Sequence, residues 1–228
     1  MAGSPESLPL ADQSPDDQAL LACAFWLLLD QGYPVGVGPL ADALQRAPAA
    51  VAAAVDRLAQ AGLTRRDRAG RLLGSHGLSV VPTRHELMVD GKRYWTWCAY
   101  DAVGILGALE ADGRVRSRSP HSGRLIELGF HGGQPDATEA VVFMAEGPCR
   151  SVIDDWCPLV NLFEDDQAAA AWARQHGIAG AARPVALATH AGAAAWRAYL
   201  WPGTTPAGCC PPGAPPTGAE RRADGDQD

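Results

Sequence analysis

Apolar and polar positions recur along this chain with two different periods, and the change from one to the other divides it. The first part is helical. An apolar run over 19–29, bracketed by Asp16, Asp17 and Asp30, reads as a buried helix and is well short of the ~20 residues of a membrane span. A Gly/Pro-punctuated loop follows over 31–38, and then helical patterns over 39–46 and 48–61. Pro48 suits a first helical turn and Gly62 a C-terminal cap. Residues 63–73 set Arg65, Arg66, Arg68 and Arg71 around a turn at Ala69-Gly70, which predicts a short hairpin. Helix, helix and hairpin outline a winged-helix-like unit over 16–76.

From residue 78 the strand period takes over. Strands are predicted at 78–81, 86–89 and 93–97, the last two joined by Asp90-Gly91, a strong hairpin signal. A helix is predicted over 98–110, stopped by Asp112-Gly113. Further strands are expected at 115–118, 125–130, 140–144, 160–163 and 185–189, with helices at 165–176 and 191–199. Residues 1–15 are polar and proline-bearing, as in a flexible leader, and 202–228 turn to Pro, Gly and charge, as in a disordered tail. The fold class is therefore α+β: a winged-helix-like N-terminal part packed on a larger region, 77–201, with a mixed or antiparallel sheet and flanking helices.

Composition narrows what such a fold can do. A chain of 228 residues can bury a core without disulfides, so the placement of its six cysteines needs another explanation. A net charge of -7 argues against nucleic acid or an anionic membrane as the main partner, since both attract a positive field. Residues 1–17 hold acidic groups and no Lys or Arg, unlike a secretory signal, so the expected location is cytoplasmic.

Two segments carry candidate chemistry. In Tyr94-Trp95-Thr96-Trp97-Cys98-Ala99-Tyr100-Asp101 a strand hands over to a helix, which puts Cys98 at a helix N-terminus. The unpaired amides there favour a thiolate, and Asp101, three residues on, shares its face with β-carbons about 5–6 Å apart. The plainer reading is a small core cysteine followed by a first-turn acid, and Cys-x-x-Asp by itself does not decide between them. The second segment, 154–163, sets Cys157 before an apolar, strand-like run, where a buried cysteine is ordinary.

Taken together the two segments resemble the organomercurial (alkylmercury) lyases, which carry a Trp-Cys-x-x-Asp segment after a hairpin and a second cysteine before an aromatic-rich strand. The resemblance extends in order of elements over 16–201, and its specific part is Cys98, Asp101 and Cys157. It implies that 77–201 is the catalytic region and that the carbon–mercury bond of alkyl or aryl mercury is cleaved by protonolysis, giving hydrocarbon and Hg(II). Mercury is soft and prefers thiolates. Cys98 and Cys157 would hold it, with Asp101 as proton carrier and further ligand, and Trp97, Trp95 and Trp156 would wall the substrate pocket. No organic cofactor is implied. Hg(II) would leave to small thiols or to a mercuric reductase, and the vicinal pair Cys209-Cys210 in the tail is a candidate for that hand-off. Ser119 stands where many family members have a further, structural cysteine. Cys23 is expected in the core and Cys149 as a half-buried neighbour of the site.

Two other readings compete. A winged-helix metal-responsive regulator would use the arginines on phosphate, but 48–61 has only Arg57 as a basic residue and makes a poor groove reader. A non-catalytic thiol or structural zinc protein would need a closed four-ligand site, and no Cys-x-x-Cys pair is present.

Overall fold

The computed structural model describes residues 13–201. The leader up to residue 12 and the tail from 202, with Cys209 and Cys210, lie outside the described residues.

Helix α1 (Pro15–Gln31) begins where a capping serine meets a first-turn proline: the Ser14 hydroxyl accepts the Asp17 amide at 3.2 Å. Its central residues are buried almost all round, Leu20, Leu21, Cys23, Phe25 and Leu28 among them, so it is the spine of the N-terminal part. Helices α2 (Val37–Leu44) and α3 (Pro48–Gln60) pack on each other and on α1, burying Leu40, Leu44, Val51, Val55 and Leu58. Helix α2 runs two residues ahead of the predicted 39–46, because Gly36 caps it and Gln45 turns left-handed to end it.

The hairpin of β1 (Thr64–Arg66) and β2 (Leu72–Ser75) does not stand apart. It opens an eight-stranded antiparallel sheet with β3 (Leu78–Ser79), β4 (His85–Val89), β5 (Lys92–Thr96), β6 (Gly113–Arg118), β7 (Leu125–His131) and β8 (Gln134–Pro135), in the order β1-β2-β3-β5-β4-β6-β7-β8. A second antiparallel sheet has β9 (Val141–Ala145) between β10 (Asn161–Phe163) and β11 (Gly180–Pro184). Every strand pair is antiparallel, which settles the sheet type left open by the pattern.

Helix α4 (Ala99–Leu109) lies at the centre of the core, against strands of both sheets and against α6 (Val185–Leu200), with α5 (Asp166–His176) on the second sheet. The strand predicted at 185–189 is instead the first part of α6. Val-Ala-Leu-Ala-Thr alternates like a strand, but the buried positions Val185, Ala188, Thr189, Gly192, Ala193 and Trp196 fall at spacings of three and four, and the strand that precedes them ends at Pro184. No helix among the described residues is long and apolar enough to cross a membrane.

Candidate active site

The first half of the site is a helix cap. Strand β5 stops at Thr96, whose hydroxyl donates to the Cys98 carbonyl at 2.8 Å, and Cys98 takes the extended conformation of an N-cap residue. Its Sγ accepts the Asp101 amide at 3.4 Å while the Asp101 carboxylate accepts the Cys98 amide at 2.8 Å. This reciprocal pair fixes both side chains within one helical turn, with a thiol where serine or threonine is usual. Above it lies the two-residue turn His76-Gly77 between β2 and β3. A Cβ on Gly77 would come within 2.5 Å of Asp101 Cγ, and Gly77 is at φ +85°, so only glycine lets the turn close over the carboxyl. The Gly77 carbonyl in turn accepts the Trp97 amide at 2.9 Å.

Irregular backbone supplies the second half. Ser151 caps a π-helical turn, Val152–Trp156, accepting the Asp154 amide at 3.1 Å, and the Asp155 carboxylate accepts the Arg150 and Ser151 amides at 3.0 and 2.9 Å. The Trp156 indole donates to Ala145 at 3.0 Å, and Cys157 opens a short 3-10 turn, Cys157–Leu159. A bond from the Ala99 amide to the Val160 carbonyl, 3.1 Å, ties this segment to the start of α4. As a result one ligand atom each from Cys98, Asp101 and Cys157 lies within 4.8 Å of the others, and all three residues are buried. Cys98, Cys157 and Cys149 carry free thiols.

Burial dominates the electrostatics. It raises the Asp101 carboxyl to about 7, against the lowering effect of its hydrogen bonds from Cys98 and Trp97. It also pushes the Cys98 thiol well above its ordinary value, helped by a hydrogen bond with Cys157 and by the nearby carboxylate. The helix N-terminus therefore does not yield the ready thiolate that sequence position alone predicts. At Cys157 the hydrogen bond from Cys98 pulls downward, but burial and the Asp101 carboxylate outweigh it and the net shift is upward.

The Asp101 side of the cluster faces an apolar cavity of about 130 Å³. Trp97 and Trp156 line it and Trp95 does not: Trp95 lies within β5, opposite Ser79 and Glu86, while Trp97 follows the strand end. Cys149 is half-buried, and Cys23 is fully buried in α1. Sequence reasoning missed Tyr100, His76, Trp196 and Tyr199. Tyr100 was inside the motif itself, and its ring meets Trp156 and Trp196 edge-on at 6.3 and 5.4 Å. His76, buried and lowered to about 4 by that burial, stacks on Tyr199. No sequence signal joins α6 to this wall. A larger groove of about 410 Å³ between α5 and β11 is lined by no cysteine.

A family model described as alkylmercury lyase matches residues 78–197. The chain is 34% identical over 190 residues to an alkylmercury lyase of Streptomyces lividans, covering 80% of this chain and 84% of that protein. It is 28% identical over 190 residues to an alkylmercury lyase of Staphylococcus epidermidis, with the same coverage of 80% and 84%. Among solved structures, the mercury-bound form of MerB2 has the same fold, with a TM-score of 0.76 at 21% identity over 84% of this chain and 94% of that one. By sequence and by fold, the chain belongs to the alkylmercury lyase family.

Proposed function

We propose that this protein cleaves the carbon–mercury bond of organomercurials by protonolysis, with Cys98, Asp101 and Cys157 as the catalytic and mercury-holding groups. The observation that carries the reading is the convergence of two thiols and one carboxyl within 4.8 Å in a buried site. Two thiols from remote parts of the chain suit a soft, linear-bonding metal, and a third, proton-carrying group suits release of a carbon leaving group.

Cys157, the thiol outside the helical turn that Asp101 shares with Cys98, captures R–Hg from its carrier thiol. The Cys98 proton then passes to the Asp101 carboxylate, and the Cys98 sulfur bonds mercury, which raises electron density at carbon. Asp101 delivers the proton to that carbon. The Hg–C and S–H bonds break, the C–H and second S–Hg bonds form, and no oxidant or organic cofactor enters the balance. Hg(II) stays on Cys98 and Cys157 until two outside thiols, small or carried by a mercuric reductase, remove it. Trp97 and Trp156 hold the organic group away from water. Residues 16–76 act as a winged-helix-like scaffold that contributes Gly62, Leu63 and His76 to the cavity wall. A regulator needs no enclosed thiol–carboxyl site, and a closed zinc site needs a fourth ligand.

The test is phenylmercury with excess thiol, comparing the wild type with Cys98→Ser, Cys157→Ser and Asp101→Ala. Benzene release by the wild type alone is expected. Equal release by all four would sink the mechanism.

A further inference from the structure

The run that follows Cys157 buries one polar side chain among apolar ones. Val160, Leu162 and Phe163 are fully buried, and Asn161 between them is 1% exposed. Leucine, of similar volume, would serve packing alone at this position, whereas a buried carboxamide is costly unless both of its ends are paired. Both are. Asn161 Nδ2 donates to the Pro158 carbonyl at 2.9 Å, and Oδ1 accepts from the Arg84 guanidinium at 2.8 Å. A carbonyl only accepts and a guanidinium only donates, so the two partners fix which end of the amide faces which.

These bonds join the two halves of the site. On the Cys157 side, the Cys157 carbonyl accepts the Val160 amide at 3.2 Å and Asn161 holds the next carbonyl, so backbone and side chain together close the 3-10 turn that carries the sulfur. On the Cys98 side, Arg84 directly precedes β4, and its neighbour Thr83 donates to the Thr96 carbonyl at 2.6 Å. Thr96 in turn donates to the Cys98 carbonyl. Arg84 thus references the Cys157 turn to the strand end that sets Cys98.

We propose that Asn161 is a positioning residue for carbon–mercury cleavage: with Arg84 it fixes the Cys157 turn relative to Cys98, so that both sulfurs reach one mercury atom together. The proposal rests on the lyase reading of the site. Neither side chain belongs to the cluster of ligand atoms or lines the aromatic cavity, so both act through the backbone beside the two cysteines. A displaced Cys157 still captures R–Hg by itself. The second S–Hg bond, whose formation releases the carbon, then has to form between misplaced groups.

The experiment measures kcat and KM for phenylmercury with excess thiol in the wild type, Arg84→Ala, Asn161→Leu and the double variant, with rates referred to folded protein by circular dichroism. Arg84 is exposed, so if Asn161→Leu does not fold, Arg84→Ala decides alone. In each single variant kcat should fall about tenfold while KM stays within about twofold, since capture by one sulfur is retained. The double variant should lose no more than Asn161→Leu, because the two residues act along one path. Variants loaded with Hg(II) should also yield it to an outside dithiol about tenfold faster than the wild type, as two misaligned sulfurs hold it less well. An unchanged kcat per folded molecule in Arg84→Ala overturns the assignment, as do additive losses in the double variant or a rise in KM in place of the fall in kcat. Any of these with benzene released by the wild type defeats the role of Asn161 alone, whereas no benzene from the wild type defeats the lyase reading beneath it.

Discussion

Cys98 and Cys157 bring their sulfur atoms to one buried point from two opposite kinds of backbone. Cys98 follows a regular hairpin strand and caps a regular helix, and its cap bonds close within three residues. Cys157 sits at the seam of a π-helical and a 3-10 turn, held by Ser151 and Asp155 and by an ion pair from Asp154 to the distant Arg65. Where the backbone is regular, local sequence fixes the side chain; where it is irregular, tertiary contacts must. The proposed mercury ligation needs both sulfurs in register, so the site is only as well defined as its less regular half.

Serine replacements test this contrast with the largest effect. Either Cys98→Ser or Cys157→Ser should reduce benzene release to background, since a hydroxyl is too hard for mercury. Their melting curves should differ. Serine is a good N-cap, so Cys98→Ser should leave stability unchanged or improve it by up to about 1 kcal/mol, whereas Cys157→Ser, buried and without a cap to make, should lower it. Equal melting shifts would remove the distinction.

Asp101 lies on the regular side and exerts its effect through burial. Asp101→Asn should slow cleavage by about 10²–10⁴-fold. Its folded-state carboxyl, at about 7 against an ordinary 3.8, binds its proton more tightly than in the unfolded chain, so the wild type loses stability as pH rises from about 4 through 7. The asparagine variant escapes that loss: it should melt higher than wild type at pH 8, by an amount on the order of 1–3 kcal/mol, and the gain should vanish near pH 4. Cleavage should show the complementary trend, rising about tenfold per pH unit up to roughly pH 7 as the carboxylate that accepts the Cys98 proton forms. Initial rates of benzene release across pH 5–9 read this directly, and a flat profile would remove Asp101 as proton acceptor.

Smaller effects follow from the supports of each half. Gly77→Ala forces a Cβ to 2.5 Å from the Asp101 carboxyl at a positive φ, and should cost about 1–3 kcal/mol in stability and lower kcat. Arg65→Ala removes the exposed partner of Asp154 from the irregular half. Its cost in chemical denaturation should be within about 1 kcal/mol and should shrink further in high salt.

The same division explains what was legible in the sequence. Cys98 and Asp101 could be paired from spacing, because a strand-to-helix junction with an acid three residues on dictates the cap. Cys157 could not be joined to them by any local rule and came through the family resemblance. The hairpin at Asp90-Gly91 and helix α5 after Asp165 were readable because turn and cap residues act locally. The 185–189 stretch misled because five residues of alternation cannot distinguish a strand from the start of an alanine-rich helix. Trp95 was named for its place beside Cys98 in the sequence; it lies within β5, opposite Ser79 and Glu86, and off the cavity wall. The His76, Trp196 and Tyr199 wall is made by contacts spanning more than a hundred positions, beyond any window.

The eight-stranded sheet has a practical corollary for how this protein can be divided. The family match begins at residue 78, yet β3 at that point is paired on one side with β2 and on the other with β5, and the turn shielding Asp101 lies just upstream. A fragment cut there would bare a hydrogen-bonding edge open to association with other chains, and would uncover the Asp101 carboxyl. The smallest unit that keeps both the sheet and the turn over Asp101 intact therefore includes the β1–β2 hairpin, and expression should span it together with the residues from 78 onward.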